Sequence, residues 1–294
     1  MSRSLLKPST WFSKRPPEVA VLRLYGAIGP SGRFSPGLSH APMEQAIEKA
    51  FASPRTKAVA LAINSPGGSP SQSGLLARHI RRRAEETGKP VLAFCEDVAA
   101  SGGYLLACAA DEIFVDEYTV AGSIGVISAS FGATEAIHRI GVERRVHTAG
   151  ERKQLMDPFR PETEEDRARL DRLLKTIHAR FIDWVKERRG AKLGDDPNLF
   201  EADVWVGPNA VEVGLVDAVG HMRDVLRERY GEDVRLREHG RRRPSLLARL
   251  FGRGAAAPGG VHPSSTLAGE ASTALVAAAV AAVEERAAWG RYGL

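Results

Sequence analysis

Apolar positions along this chain fall into short continuous runs separated by stretches of helical spacing. Glu18-Val-Ala-Val-Leu-Arg-Leu-Tyr25, Lys57-Ala-Val-Ala-Leu-Ala-Ile63 and Pro90-Val-Leu-Ala-Phe-Cys95 have the length and apolar density of strands covered on both faces. Between them, Met43–Ala52 and roughly Gln72–Glu86 repeat at helical intervals. Tyr104-Leu-Leu-Ala-Cys-Ala-Ala110 reads as a short buried helix. Further on, Glu112–Asp116, Ile124–Ser128 and Val142–His147 predict strands, and Ala133–Ile140 predicts a helix. A long amphipathic helix is expected over Pro161–Arg189, with acids in its Thr163-Glu-Glu-Asp opening and Lys186, Arg188 and Arg189 at its end before Gly190, as the helix dipole favours. Residues 200–239 predict two short helices and a closing strand at Asp233–Glu238. Strands alternating with helices indicate an α/β fold with a largely parallel sheet.

Punctuation divides the chain. Residues 27–41 are rich in Gly, Pro and Ser and read as a loop, and from Gly240 onward the composition is that of a linker and tail. Three parts follow: a basic extension at 1–17, a main domain at 18–240, and a basic, Ala/Gly-rich tail at 241–294 with a short helix in it. With 294 residues, 43% hydrophobic and 26% charged, the main part can bury a core of its own. The net charge of +5 belongs to the ends: residues 241–253 carry five Arg and no acid, and residues 1–16 four basic side chains and no acid. Residues 17–240 hold 30 basic and 33 acidic side chains, which argues against a nucleic-acid-binding body. The two cysteines, Cys95 and Cys108, lie in apolar runs and read as buried free thiols. No metal-ligand spacing occurs among the scattered His. Residues 1–15 lack a signal-peptide core. The longest small-residue run, Ala271–Val283, falls short of the roughly 20 apolar residues of a membrane span.

Two glycine-rich turns follow strand-like runs. In Glu96-Asp-Val-Ala-Ala-Ser-Gly-Gly-Tyr-Leu-Leu-Ala107, Ser101 stands at the mouth of the Tyr104 helix. The first N–H groups there have no internal partner and favour negative charge. Ser101 is a candidate nucleophile; it is equally placed to be an N-cap. In Asn64-Ser-Pro-Gly-Gly-Ser69, the proline and two glycines make either a tight strand–helix turn or the second wall of a ligand site. One N–H from each turn would make a two-donor oxyanion hole. A serine nucleophile needs a base. Neither His138 nor His147 stands in a loop beside a suitable acid, which leaves Lys153, in the loop Thr148–Phe159. A free lysine titrates at about 10.4, so a lysine base needs an apolar pocket; taken alone, Lys153 is a surface charge.

Ser-Pro-Gly-Gly, Ala-Ser-Gly-Gly-Tyr-Leu-Leu-Ala, Ala-Gly-Ser-Ile-Gly-Val126 and Gly150-Glu-Arg-Lys-Gln-Leu-Met-Asp-Pro-Phe159 together resemble the signal peptide peptidase A (protease IV) family. The likeness in order and spacing runs over about residues 18–240. It implies a ClpP/crotonase-like fold of repeated β-β-α units and a Ser–Lys dyad peptidase. Ser101 would be the nucleophile, Lys153 the general base, and Ser123 the residue that orients Lys153. Gly68 and Gly102 would supply the oxyanion N–H groups, with Gly67 a substitute for Gly68. No metal or cofactor is implied. The implied partners are peptide substrates, short and apolar and including spent signal peptides, and further copies of the chain in a ring.

Members of that family usually carry an N-terminal membrane anchor, which residues 1–17 do not resemble. The expectation is therefore a cytoplasmic protein, at most peripheral at the inner face of the membrane. Pro244-Ser-Leu-Leu-Ala-Arg-Leu-Phe251 beside its arginines, and Leu5, Leu6, Trp11 and Phe12 among basic residues, could make such a contact; packing on a neighbouring subunit is the plainer reading. Two rivals make different demands. A crotonase-like acyl-CoA enzyme would use the oxyanion hole without Ser101 or Lys153 and would want a catalytic acid. A ring scaffold that has lost activity would assemble without labelling at Ser101.

Overall fold

A computed structural model describes residues 16–29, 37–150, 153–240 and Tyr292. The tails that could contact a membrane, and the Ala271–Val283 run, lie outside the described residues. The described strands form one mostly parallel sheet. β1 (Glu18–Tyr25) pairs with β2 (Thr56–Ser65) and with β8 (Arg235–His239), and β2 pairs with β3 (Val91–Ala100), all in parallel. β3 then serves two neighbours. Its first half runs beside β4 (Glu112–Val115), which carries β7 (Ala218–Val219) on its other edge. Its second half runs beside β5 (Val120–Gly122), and the only antiparallel pair of named strands, β5 with β6 (Val204–Val206), closes that edge.

The split in β3 has a local cause. Ile63 pairs with Cys95 but Ser65 pairs with Ala99, so β3 carries extra residues at Glu96–Val98, and a bulge of this kind bends a strand. Asn64 spans it, accepting the Val98 N–H at 3.3 Å and donating to the Asp97 carboxylate. The Tyr25 hydroxyl covers Glu96. Glu96 and Asp97 look like a strand end in the sequence; the strand continues because these partners satisfy them, and Ser101 follows directly at its tip.

Side-chain alternation sorts the two faces. Val59, Leu61 and Ile63 of β2 face a large core with α1 (His40–Ala52), α2 (Pro70–Thr87) and α3 (Gly102–Ala107). Ala58, Ala60 and Ala62 face a smaller one, where Phe94 stacks on Phe114 with ring centres 5.1 Å apart and Leu226 of α7 (Met222–Tyr230) packs. Phe181 and Val185 of α5 (Glu164–Arg189) complete the large core. Thr163 and Asp166 form a reciprocal capping box at the start of α5. α6 (Pro208–Glu212) lies between β6 and β7.

Two expected strands are corrected. Ile124–Ser128 is not a strand; the pairing residues are Val120–Gly122, and beyond them the Ser123 N–H turns to the Asp203 carbonyl at 2.7 Å, ending the ladder. Val142–His147 is exposed and unpaired in any ladder among the described residues. Ile124 itself is buried in the large core, but the rest of both stretches falls on an excursion between Gly125 and Thr163, where the short α4 (Thr134–Arg139) is the one named element among the described residues. This arm is tied largely to itself, by the Ala133 N–H to the Pro158 carbonyl and by an Arg144–Asp157 ion pair.

Candidate active site

Ser101 sits in a backbone conformation that side-chain-bearing residues rarely adopt, φ +51° and ψ −120°. Its N–H donates to the Gly122 carbonyl at 2.8 Å and its carbonyl accepts from Leu105 at 3.0 Å, so the turn is fixed from both sides. Its hydroxyl makes no capping hydrogen bond. The N-cap alternative therefore fails on geometry: Ser101 occupies the cap position and leaves its oxygen unspent, half-exposed at the strand tip.

The two glycine turns touch. A Cβ on Gly67 would lie 2.8 Å from both the Ser101 Cβ and the Gly102 nitrogen; one on Gly102 would lie 2.4 Å from the Ser73 hydroxyl, and one on Gly103 2.4 Å from the Ser65 carbonyl oxygen. Glycine here is a requirement of close approach, because any side chain would wedge the turns apart. Gly67 donates its N–H to the Ser65 hydroxyl at 3.2 Å. The Gly68 and Gly102 N–H groups have no hydrogen-bond partner among the described residues. The structure thus brings Ser101, Gly67, Gly68 and Gly102 into one place. Ser123 joins them: Ala100 pairs with Gly122, and Ser123, also at φ +51°, comes next in the chain.

Lys153 is not brought there. It is exposed near the far end of the Gly125–Thr163 arm, where its N–H meets the Gly150 carbonyl at 3.3 Å. Its ammonium contacts neither Ser101 nor Ser123 among the described residues. The sequence leaves open whether Lys153 serves its own Ser101 or a neighbour's, and among the described residues of this single chain the two are not hydrogen-bonded. The physical reason lies in the arm, which finds no surface of its own body to pack on: Phe131 is 90% exposed and Ile140 73%.

The root of the arm is firmly placed even so. α5 holds the C-terminal end of α3, with Trp184 Nε1 donating to the Leu105 carbonyl at 3.1 Å and the Arg188 guanidinium to the Cys108 and Ala110 carbonyls at 2.9 and 3.2 Å. The buried Tyr104 hydroxyl donates to the Leu215 carbonyl at 2.7 Å. Cys95 and Cys108 are free and buried, and burial pushes the Cys108 thiol up to about 12, which leaves it inert. Residue reading missed the supporting groups Ser65, Ser73 and Asn64. Ser65 lies inside the Ser-Pro-Gly-Gly stretch, so its place beside the glycines was the available signal.

The profile of Peptidase family S49 matches residues 83–234, more than half of the chain. This chain belongs to peptidase family S49. The match takes in β3, Ser101, Ser123, Lys153 and α5. Curated relatives match over longer spans. "Serine protease SPPA, chloroplastic" of Arabidopsis thaliana is 34% identical over 211 residues, 69% of this chain and 30% of that protein. "Protease 4" of Haemophilus influenzae is 28% identical over 211 residues, 72% of this chain and 34% of that protein. A Brucella abortus protein named "Na(+)/H(+) antiporter NhaA" is 49% identical over 278 residues, 94% of this chain and 37% of its own length. This S49 chain therefore spans about a third of each of these longer relatives. Among its described residues no helix is long and apolar enough to cross a membrane.

Proposed function

We propose that this chain is a serine endopeptidase with a ClpP/crotonase-like fold that cleaves short apolar peptides, spent signal peptides among them, through a Ser101–Lys153 dyad. The observation that carries the reading is the Ser101 hydroxyl, held on a strained turn, unspent on capping, beside two glycine N–H groups without partners among the described residues. Neutral Lys153 accepts the Ser101 proton as Oγ bonds to the scissile carbonyl carbon, whose oxygen takes the negative charge against Gly68 and Gly102. Collapse breaks the C–N bond, and the lysine ammonium gives its proton to the departing amine. Water then repeats the attack on the acyl-enzyme, Lys153 takes its proton, and Ser101 Oγ leaves with a proton. Ser123, next to the Gly122 that anchors Ser101, orients the lysine.

Assembly supplies the missing approach. The exposed apolar arm packs against a further copy of the chain in a homo-oligomeric ring, and this packing desolvates Lys153 and carries it to a Ser101. The test is the intact mass of wild-type, Ser101→Ala and Lys153→Ala protein after fluorophosphonate treatment from pH 6 to 10. One adduct on wild-type alone, with a rate that rises with pH and is abolished in Lys153→Ala, is expected. Equal labelling of Ser101→Ala would remove the nucleophile assignment. Assembled but unlabelled wild-type, with a small probe shown to enter, would favour the scaffold.

A further inference from the structure

We infer that Ser65 is a positioning residue that decides which glycine of its turn faces the oxyanion. The inference rests on the peptidase reading above. Ser65 is completely buried, and its hydroxyl works in both directions. It donates to the Gly26 carbonyl at 2.7 Å and accepts the Gly67 N–H at 3.2 Å. Those two bonds use the one proton and one of the lone pairs that a hydroxyl offers.

The consequence lies one peptide further on. The Gly67 carbonyl accepts the Ile28 N–H at 2.7 Å, and the Ser69 N–H donates to the Ile28 carbonyl at 2.6 Å. Gly68 is pinned between them at φ +141°, where a Cβ would sit 2.0 Å from the Ile28 oxygen. Of the two glycine N–H groups in this turn, Ser65 consumes that of Gly67 and leaves that of Gly68 available. Without the hydroxyl, the Gly67 N–H is a second unpaired donor and the turn loses the tie that fixes its plane. Ser65 also touches the other half of the site, since the space a Gly103 Cβ would need is bounded by the Ser65 carbonyl at 2.4 Å and its Cβ at 3.2 Å. One buried residue thereby ties the two turns together, its hydroxyl holding Gly67 beside the Gly68 donor and its carbonyl and Cβ lying against Gly103 of the Ser101 turn.

A donor that matters only once negative charge develops affects the transition state and not the bound substrate. In the full-length protein, Ser65→Ala and Ser65→Cys are compared on a fluorogenic apolar peptide, on a peptide aldehyde, and on the matching alcohol. The aldehyde forms a tetrahedral adduct with Ser101 that bears the oxyanion; the alcohol binds without one. The cysteine variant keeps the shape and weakens the hydrogen bonds, so it guards against an alanine variant that does not fold. Expected are a kcat lower by about ten- to hundred-fold, KM within about twofold, and aldehyde affinity weakened in step with kcat while alcohol affinity holds. Unchanged aldehyde affinity in a folded variant, or a loss confined to KM, would overturn the role of Ser65. Failure of the underlying reading looks different: wild-type protein itself would take no fluorophosphonate on Ser101, and both proposals would fall together.

Discussion

At the scale of single residues, strain and close contact set the site. Ser101 holds φ +51°, in the left-handed region that disfavours a side chain. Glycine tolerates that conformation, whereas alanine does not. Ser101→Gly is therefore expected to be more stable than Ser101→Ala by about 1 kcal/mol, read as a higher melting temperature, with both variants inactive. An alanine variant as stable as the glycine one would mean that the turn relaxes without cost. Gly103→Ala points the other way. Its new Cβ meets a backbone oxygen at 2.4 Å, and neither strand tip nor helix start can retreat without opening the large core. A loss of about 1–3 kcal/mol is expected in denaturant titration, with Ser101 labelling lost in parallel.

At the scale of elements, one carboxylate ties down the C-terminal end of α5. Asp217 is partly buried, which alone would raise its pKa, but hydrogen bonds from Arg189 and Lys192 and from the Ile113 N–H outweigh burial and hold it below the usual carboxylate range. Its folded pKa lies below the unfolded one. Its contribution is therefore present above the unfolded value of about 3.9 and is lost as pH falls through the lower folded value. Asp217→Asn leaves the buried Arg189 without its counter-charge, and is expected to cost about 3 kcal/mol near neutrality. The same variant should flatten the loss of stability below about pH 4; an equally steep acid limb would assign that limb to other carboxylates. This tie is illegible in the sequence, because Arg189 and Asp217 belong to different elements and only the fold joins them. The apolar runs of β1, β2 and β3 and the spacing of α1, α2 and α5 were legible, since burial on both faces or on one stripe leaves a local signature. Glu96–Val98 hid the full length of β3, its bulge being stabilised by Asn64 from β2 and Tyr25 from β1. Ile124–Ser128 and Val142–His147 have strand-like composition but no ladder partner, and composition does not show whether a partner exists. The glycine turns and Ser101 were legible for the opposite reason: close backbone approach leaves few residue types permissible.

At the scale of the whole molecule, the proposed dyad is divided between the body and an arm. Ser101, Ser123 and the glycine turns rest on the sheet and on α3, which α5 clamps. Lys153 rides on an arm whose apolar residues face solvent, Phe131 at 90% and Ile127 at 66% exposure. Exposed apolar side chains concentrated on one segment mark an interaction surface, and a lysine base needs the desolvation that such a surface supplies when covered. Assembly and activity should then fail together. The double variant Ile127→Asp, Phe131→Asp leaves the sheet, both clusters and the Ser65 turn untouched, so its fold should survive with a wild-type melting curve. Light scattering is expected to show a closed oligomer for wild-type and a monomer for the variant, with fluorophosphonate labelling of Ser101 at least about tenfold slower. Lys153→Ala should assemble like wild-type and label no faster than the monomeric variant, which separates loss of the base from loss of the ring. A monomeric double variant that labels at the wild-type rate would show that Lys153 reaches Ser101 inside one chain, and the arm would then need another purpose.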